Sequence, residues 1–171
     1  MAAGYIDTSC LVAVALEEPN WTRLAETLER YDPWLASTLL EAEFQAALVR
    51  EHVEHDTKSR ALLGRFTWIA PDRRLTGEID RALATGCVRG AGLWHLACAL
   101  FVTPDPADLA FVTLDAGQAG VAGRLGFPGL PALLVDVPPA PLPSPSDRKP
   151  PTPEPDRRAR SGRSRPEVRE K

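Results

Sequence analysis

Paired cysteines, long apolar runs, internal repeats and a basic N-terminal leader are all missing from this chain. Cys10, Cys87 and Cys98 are odd in number and form no Cys-x-x-Cys pair. A disulfide scaffold and a thiolate zinc site are therefore not expected, and a reducing cytoplasmic setting is. No run of about eighteen apolar residues occurs, so no membrane span is expected. No Lys or Arg precedes the first apolar run, which Asp7 interrupts, so a secretory signal is not expected either. No repeat of about 20–50 residues is visible.

Proline is sparse at first and crowded later. Of 17 prolines, eleven lie from Pro131 onward. Charge is divided along the same line. Asp147 to Lys171 holds nine Lys/Arg and five Asp/Glu, net +4, while the 171-residue chain is −3, leaving −7 on residues 1–146. An acidic body thus carries a basic, proline-rich tail. The length and the 44% hydrophobic content suit one globular domain.

Residues 3–6 read as a strand ending at Asp7, and Ser9 can cap a helix over Cys10–Glu17. Trp21–Arg30 has helical spacing, with Trp21, Leu24, Ala25 and Leu28 on one face. Trp34–Ala36 is a second strand. Ser37–Glu54 and Thr57–Arg65 are helical, Phe66–Ala70 a strand, and Leu75–Ala84 a helix. Ala91–Phe101 is apolar all round and should be buried on most faces. Leu109–Leu114 is a continuous apolar strand, as in a parallel sheet covered on both faces. Ala116–Leu125 is a helix stopped by Gly126, and Ala132–Val135 a last strand. Alternating strands and helices predict an α/β fold with a mostly parallel central sheet. That domain spans 1–137. The Pro- and Arg-rich segment 138–171 reads as a disordered tail.

Two acids fall just past strand ends, Asp7 and Asp115, 108 positions apart. Open parallel sheets form their sites outside the carboxyl ends of strands, so the two can meet. Glu43, early in the long helix after the second strand, can reach the same crevice. Three carboxylates there suit Mg²⁺ or Mn²⁺. Such an ion can activate water and stabilise charge on a phosphodiester.

These residues resemble the PIN-domain family, in particular its VapC-type toxin ribonucleases. Tyr5-Ile6-Asp7-Thr8-Ser9 looks like the family's opening. Ser37-Thr38-Leu39-Leu40-Glu41-Ala42-Glu43 looks like its second motif, with Glu43 in the acidic ligand position. His95-Leu96-Ala97 resembles the Asp-x-x-His-Leu-Ala motif, and Val112-Thr113-Leu114-Asp115 the fourth. The resemblance covers about residues 3–136. It implies a three-layer α/β/α sandwich, and a metal-dependent endoribonuclease, the toxin of a type II toxin–antitoxin system, in which Asp7, Glu43 and Asp115 are catalytic and hold Mg²⁺ or Mn²⁺. It also implies a structured RNA substrate (tRNA or rRNA), a cognate antitoxin protein and a homodimer. One departure stands out. The family's third acid, three residues before the His, is here Gly92. Glycine offers no ligand, so activity is expected to be impaired. The alternative is a catalytically degenerate PIN-fold protein that binds antitoxin or RNA without cleavage.

Plainer roles compete for several of these residues. Asp7, Asp115 and Ser9 are good helix caps. Glu43 alone would be a solvated carboxylate, and Glu41 is a rival ligand. His95 is expected to be a core histidine under the site, not a general base. Thr113 and Gln118 could bond a ligand or be structural. Arg50 and Arg89 could meet an RNA phosphate or be solvated, and the tail arginines likewise. A receiver-like phosphotransfer domain would want an acidic pair near the first strand and a Lys late in the sheet, and this chain has neither.

Overall fold

A computed structural model describes residues 1–53 and 57–130. The expected strand over 132–135 and the segment 138–171 lie outside the described residues.

Strand β1 (Ala2–Ile6) runs into helix α1 (Thr8–Ala15) with only Asp7 between them. Helix α2 (Trp21–Leu28) leads to β2 (Tyr31–Ser37), α3 (Leu39–Arg50) and α4 (Thr57–Leu63). Next come β3 (Phe66–Ile69), α5 (Thr76–Thr85) and α6 (Gly90–Val102). A 3-10 turn at Pro106–Asp108 precedes β4 (Ala110–Val112) and α7 (Ala116–Leu125). No single helix among the described residues is long and apolar enough to cross a membrane.

The four strands among the described residues are all parallel, in the order β3-β2-β1-β4. Alternating side chains put successive residues on opposite faces. Ile6, Trp34, Ala36, Ala110 and Val112 join α1, α2, α3 and Leu63 of α4 in one core. Tyr5, Leu35 and Phe111 join α5, α6 and α7 in the other. The result is the α/β fold that the alternating pattern predicts, in the α/β/α layering that the family resemblance implies. Tyr5 and Phe111 stack across β1 and β4 with centroids 5.4 Å apart and planes 6° from parallel. Each fully buried side chain of this kind contributes about 1.5–3 kcal/mol relative to exposure.

Local differences from the sequence reading have physical causes. The cap of α1 is Asp7, not Ser9, because Asp7 has extended dihedrals and its carboxylate accepts the Ser9 amide. Strand β2 begins three residues earlier than expected, since Tyr31 pairs with Ala2. Strand β4 is only three residues long. Thr113 and Leu114 leave the ladder and bond instead to polar side chains after β1. Gly126 does end α7: its φ of 103° lets the Phe127 amide reach the Ala122 carbonyl at 3.0 Å.

The strand order fixes where a site can form. After β1 the chain moves outward through β2 and β3, then returns to place β4 on the other side of β1. The order therefore reverses between β1 and β4, and their carboxyl ends open a crevice.

Candidate active site

A pocket of about 700 Å³ occupies that crevice. Asp7, Glu43 and Asp115 all line it, as do Ser9, Gly92, His95, Gln118, Arg50 and Arg89. Glu41 does not. It is exposed on α3 and accepts a hydrogen bond from Gln45.

Asp7 is delivered by β1 and locked by its neighbours. Its backbone amide donates to the Val112 carbonyl at 2.9 Å, tying the end of β1 to the end of β4. Its Oδ2 faces three donors: the Ser9 amide at 3.1 Å, the Ser9 hydroxyl at 2.6 Å and the Thr113 hydroxyl at 3.1 Å. The side chain is nearly buried, so these bonds replace the water it lost.

Glu43 comes from the second turn of α3 and is partly exposed. Its Oε2 accepts from the Thr8 hydroxyl at 2.5 Å and from His95 Nε2 at 2.9 Å. The His95 hydrogen bond, helped by Thr8 and opposed by burial, holds the Glu43 carboxyl below its ordinary value of 4.5. The sign follows by linkage. A depressed folded value adds stability above the unfolded value, and that stability is lost as pH falls through the folded value. Glu43→Gln should therefore flatten the loss of stability below about pH 4.5, read as urea midpoints between pH 6 and pH 3. Equal acid limbs for the two proteins would show that this bond is absent in solution.

Asp115 caps α7, with Oδ1 accepting the Gln118 amide at 2.8 Å. Its Oδ2 lies 3.9 Å from the Arg89 guanidinium, an exposed pair of little net energy. Thr113 links the acids. Its hydroxyl proton is within reach of Asp7 Oδ2 and of Gln118 Oε1 at 2.8 Å, and its oxygen accepts the Asp115 amide at 3.1 Å. Gln118 is buried and donates through Nε2 to the Gly92 carbonyl at 3.3 Å.

Each acid thus has one oxygen held by donors of the protein. The other oxygens, Asp7 Oδ1, Glu43 Oε1 and Asp115 Oδ2, accept no hydrogen bond from the described residues. Neither Asp7 nor Glu43 is bonded to a Lys or Arg among the described residues. Hard oxygen donors of this kind fit Mg²⁺ or Mn²⁺. Among the described residues no three acid, histidine or cysteine groups stand together at ligating distance. Glu43 is partly exposed and Asp115 exposed, while Asp7 is buried.

The model of the PIN domain family matches residues 4–123. The chain belongs to the PIN domain family. A search of curated proteins found no match. PIN domains are generally nucleases, so this crevice belongs to a nuclease-type hydrolase fold.

Within this PIN domain, Thr8, Tyr5 and Ser37 serve the site although the sequence reading did not single them out. Thr8 follows the strand-end Asp directly, and a hydroxyl there is the one local sign of its role. Tyr5 reads as an ordinary strand residue and Ser37 as the start of a helix, whereas Ser37 ends β2, and only folding brings the two to His95. Cys87 also lines the pocket and is exposed. Gly92 sits in the first turn of α6 at the pocket wall. A Cβ built there would meet the Gln118 amide at 3.5 Å, an ordinary contact, so a side chain fits at this position.

Proposed function

We propose that this PIN domain is a metal-dependent endoribonuclease, the toxin of a type II toxin–antitoxin pair acting in the cytoplasm on structured RNA. The observation that carries the reading is the meeting of Asp7, Glu43 and Asp115 in one pocket at the reversal of strand order. Asp7, Glu43 and Asp115 would hold one Mg²⁺ or Mn²⁺ through the oxygens that accept no hydrogen bond from the described residues. When bound, such an ion supplies an acidified water and polarises a phosphodiester oxygen. Asp7, clamped by Ser9 and Thr113, fixes the position of the site. Arg50 and Arg89, both largely exposed at the rim, can take backbone phosphates and so set the RNA's register. A homodimer and a small antitoxin partner belong to this reading.

The test is cleavage of total tRNA and rRNA by purified protein with Mn²⁺, beside an EDTA control. Specific fragments that vanish with EDTA and with Asp7→Asn support the proposal. No cleavage of either pool, with binding intact, favours the second reading.

That second reading is a PIN-fold binding protein that has lost catalysis. Gly92 favours it, because the pocket wall where a fourth acid fits carries no side chain. Such a protein would retain antitoxin or RNA binding. Copurification with the product of an adjacent small reading frame, and sedimentation mass, test the partner and the dimer.

A further inference from the structure

Beneath the three acids lies a polar cluster that no cation-binding role accounts for. His95 is 1% exposed, in the middle of the most apolar helix of the chain. Buried imidazoles are ordinarily satisfied at one or both nitrogens, and here the partners form a line. His95 Nδ1 lies 3.0 Å from the Tyr5 hydroxyl and 3.4 Å from Ser37 Oγ. His95 Nε2 lies 2.9 Å from Glu43 Oε2 and 3.4 Å from Thr8 Oγ1.

The protons can be assigned along that line. The Tyr5 oxygen accepts the Ser37 backbone amide at 3.0 Å, so its own proton must point elsewhere. The nearest acceptor for it is Nδ1. A neutral imidazole that accepts at Nδ1 carries its hydrogen on Nε2, where the Glu43 carboxylate waits. The opposite tautomer would set a lone pair against a carboxylate oxygen at 2.9 Å.

We propose that Tyr5, acting through His95, is a positioning residue for Glu43: the buried phenol selects the Nε2–H form of His95, which holds Glu43 Oε2 and leaves Oε1 for the pocket. Ser37 locks the phenol through its backbone amide. Thr8 supplies the second donor to Oε2, so Glu43 is held from two sides. The proposal deepens the metal-site reading and rests on it only for its consequence at the cation. Tautomer selection stands without any cleavage.

Tyr5→Phe tests it, because it removes one hydroxyl and keeps the stack on Phe111. With ¹⁵N-labelled histidine, two-bond ¹⁵N–¹H correlations report which ring nitrogen carries the hydrogen. His95 signals are assigned by their loss in His95→Asn. The full-length native chain is expected to give the Nε2–H pattern at neutral pH. Tyr5→Phe is expected to give mixed tautomers and about tenfold weaker Mn²⁺ binding by calorimetry, the size typical of partners that orient a ligand. An Nδ1–H pattern in the native chain would overturn the proposal at once, even if the variant failed to fold. So would a folded variant with native tautomer and native Mn²⁺ affinity. Native Nε2–H signals with no RNA cleavage would leave this inference standing and sink the nuclease reading alone.

Discussion

Asp7→Asn is expected to weaken Mn²⁺ binding by at least about 100-fold and to bring RNA cleavage to background. Residues that merely orient ligands are worth about 10–100-fold in metal affinity, so a ligand itself should exceed that range. The fold should survive. Asparagine caps helices about as well as aspartate. Its carbonyl oxygen can take the place of Oδ2, which the Ser9 amide, the Ser9 hydroxyl and the Thr113 hydroxyl all face. Asp7→Ala should behave differently. It strands those donors beside the nearly buried Asp7 position, at a cost of about 1–3 kcal/mol. Calorimetric titration with Mn²⁺ and thermal melts of both variants check the pair. If Asp7→Asn binds Mn²⁺ as tightly as the native chain, Asp7 is a cap and not a ligand.

Gly92→Asp is expected to raise Mn²⁺ affinity at least about tenfold and cleavage with it. The side chain is admitted sterically, since the nearest atoms to its Cβ are Gln118 Cδ and Nε2 at 3.5 Å. Two opposing effects act on stability. An acid in the first turn of α6 gains about 0.3–1 kcal/mol from the helix dipole and avoids the glycine penalty. It also adds a fourth negative charge to a pocket that already holds Asp7, Glu43 and Asp115. Without metal the two oppose each other. With metal the repulsion becomes attraction, so the rise in melting temperature on adding Mn²⁺ should be larger for Gly92→Asp than for the native chain. An equal rise in both would place position 92 outside the ion's reach. Cleavage by the variant alone would identify the native chain as a degenerate member with an otherwise intact site.

The layering of the fold was legible because hydrophobic alternation and strand–helix spacing are local signals. Asp7 and Asp115 were legible for the same reason: each ends an apolar strand. Glu43 was placed by its spacing after Ser37. Gly92 was noticed only against the family pattern, since a glycine near a helix start is otherwise unremarkable. The partners of these acids were not legible. Thr8 meets Glu43 across 35 positions, and Tyr5 meets His95 across 90. Such contacts are set by the sheet order, which no window of sequence contains. The length of β4 was overestimated because Leu109–Leu114 is continuously apolar apart from Thr113. Its last two residues satisfy their polar groups off the ladder, through Thr113 to Asp7 and through the Leu114 amide to Ser9.

That stitching of β4 to β1 has a consequence for the growing chain. Asp7 is made more than a hundred residues before two of the groups that steady it, the Val112 carbonyl and the Thr113 hydroxyl. Contacts of such separation form late, because the intervening loop must close first. A nascent chain that has exposed β1, β2 and β3 but not β4 therefore holds an Asp7 steadied by Ser9 alone and lacks Asp115 altogether. The pocket comes into being only when β4 and α7 dock, so no chain that stops short of them can carry it.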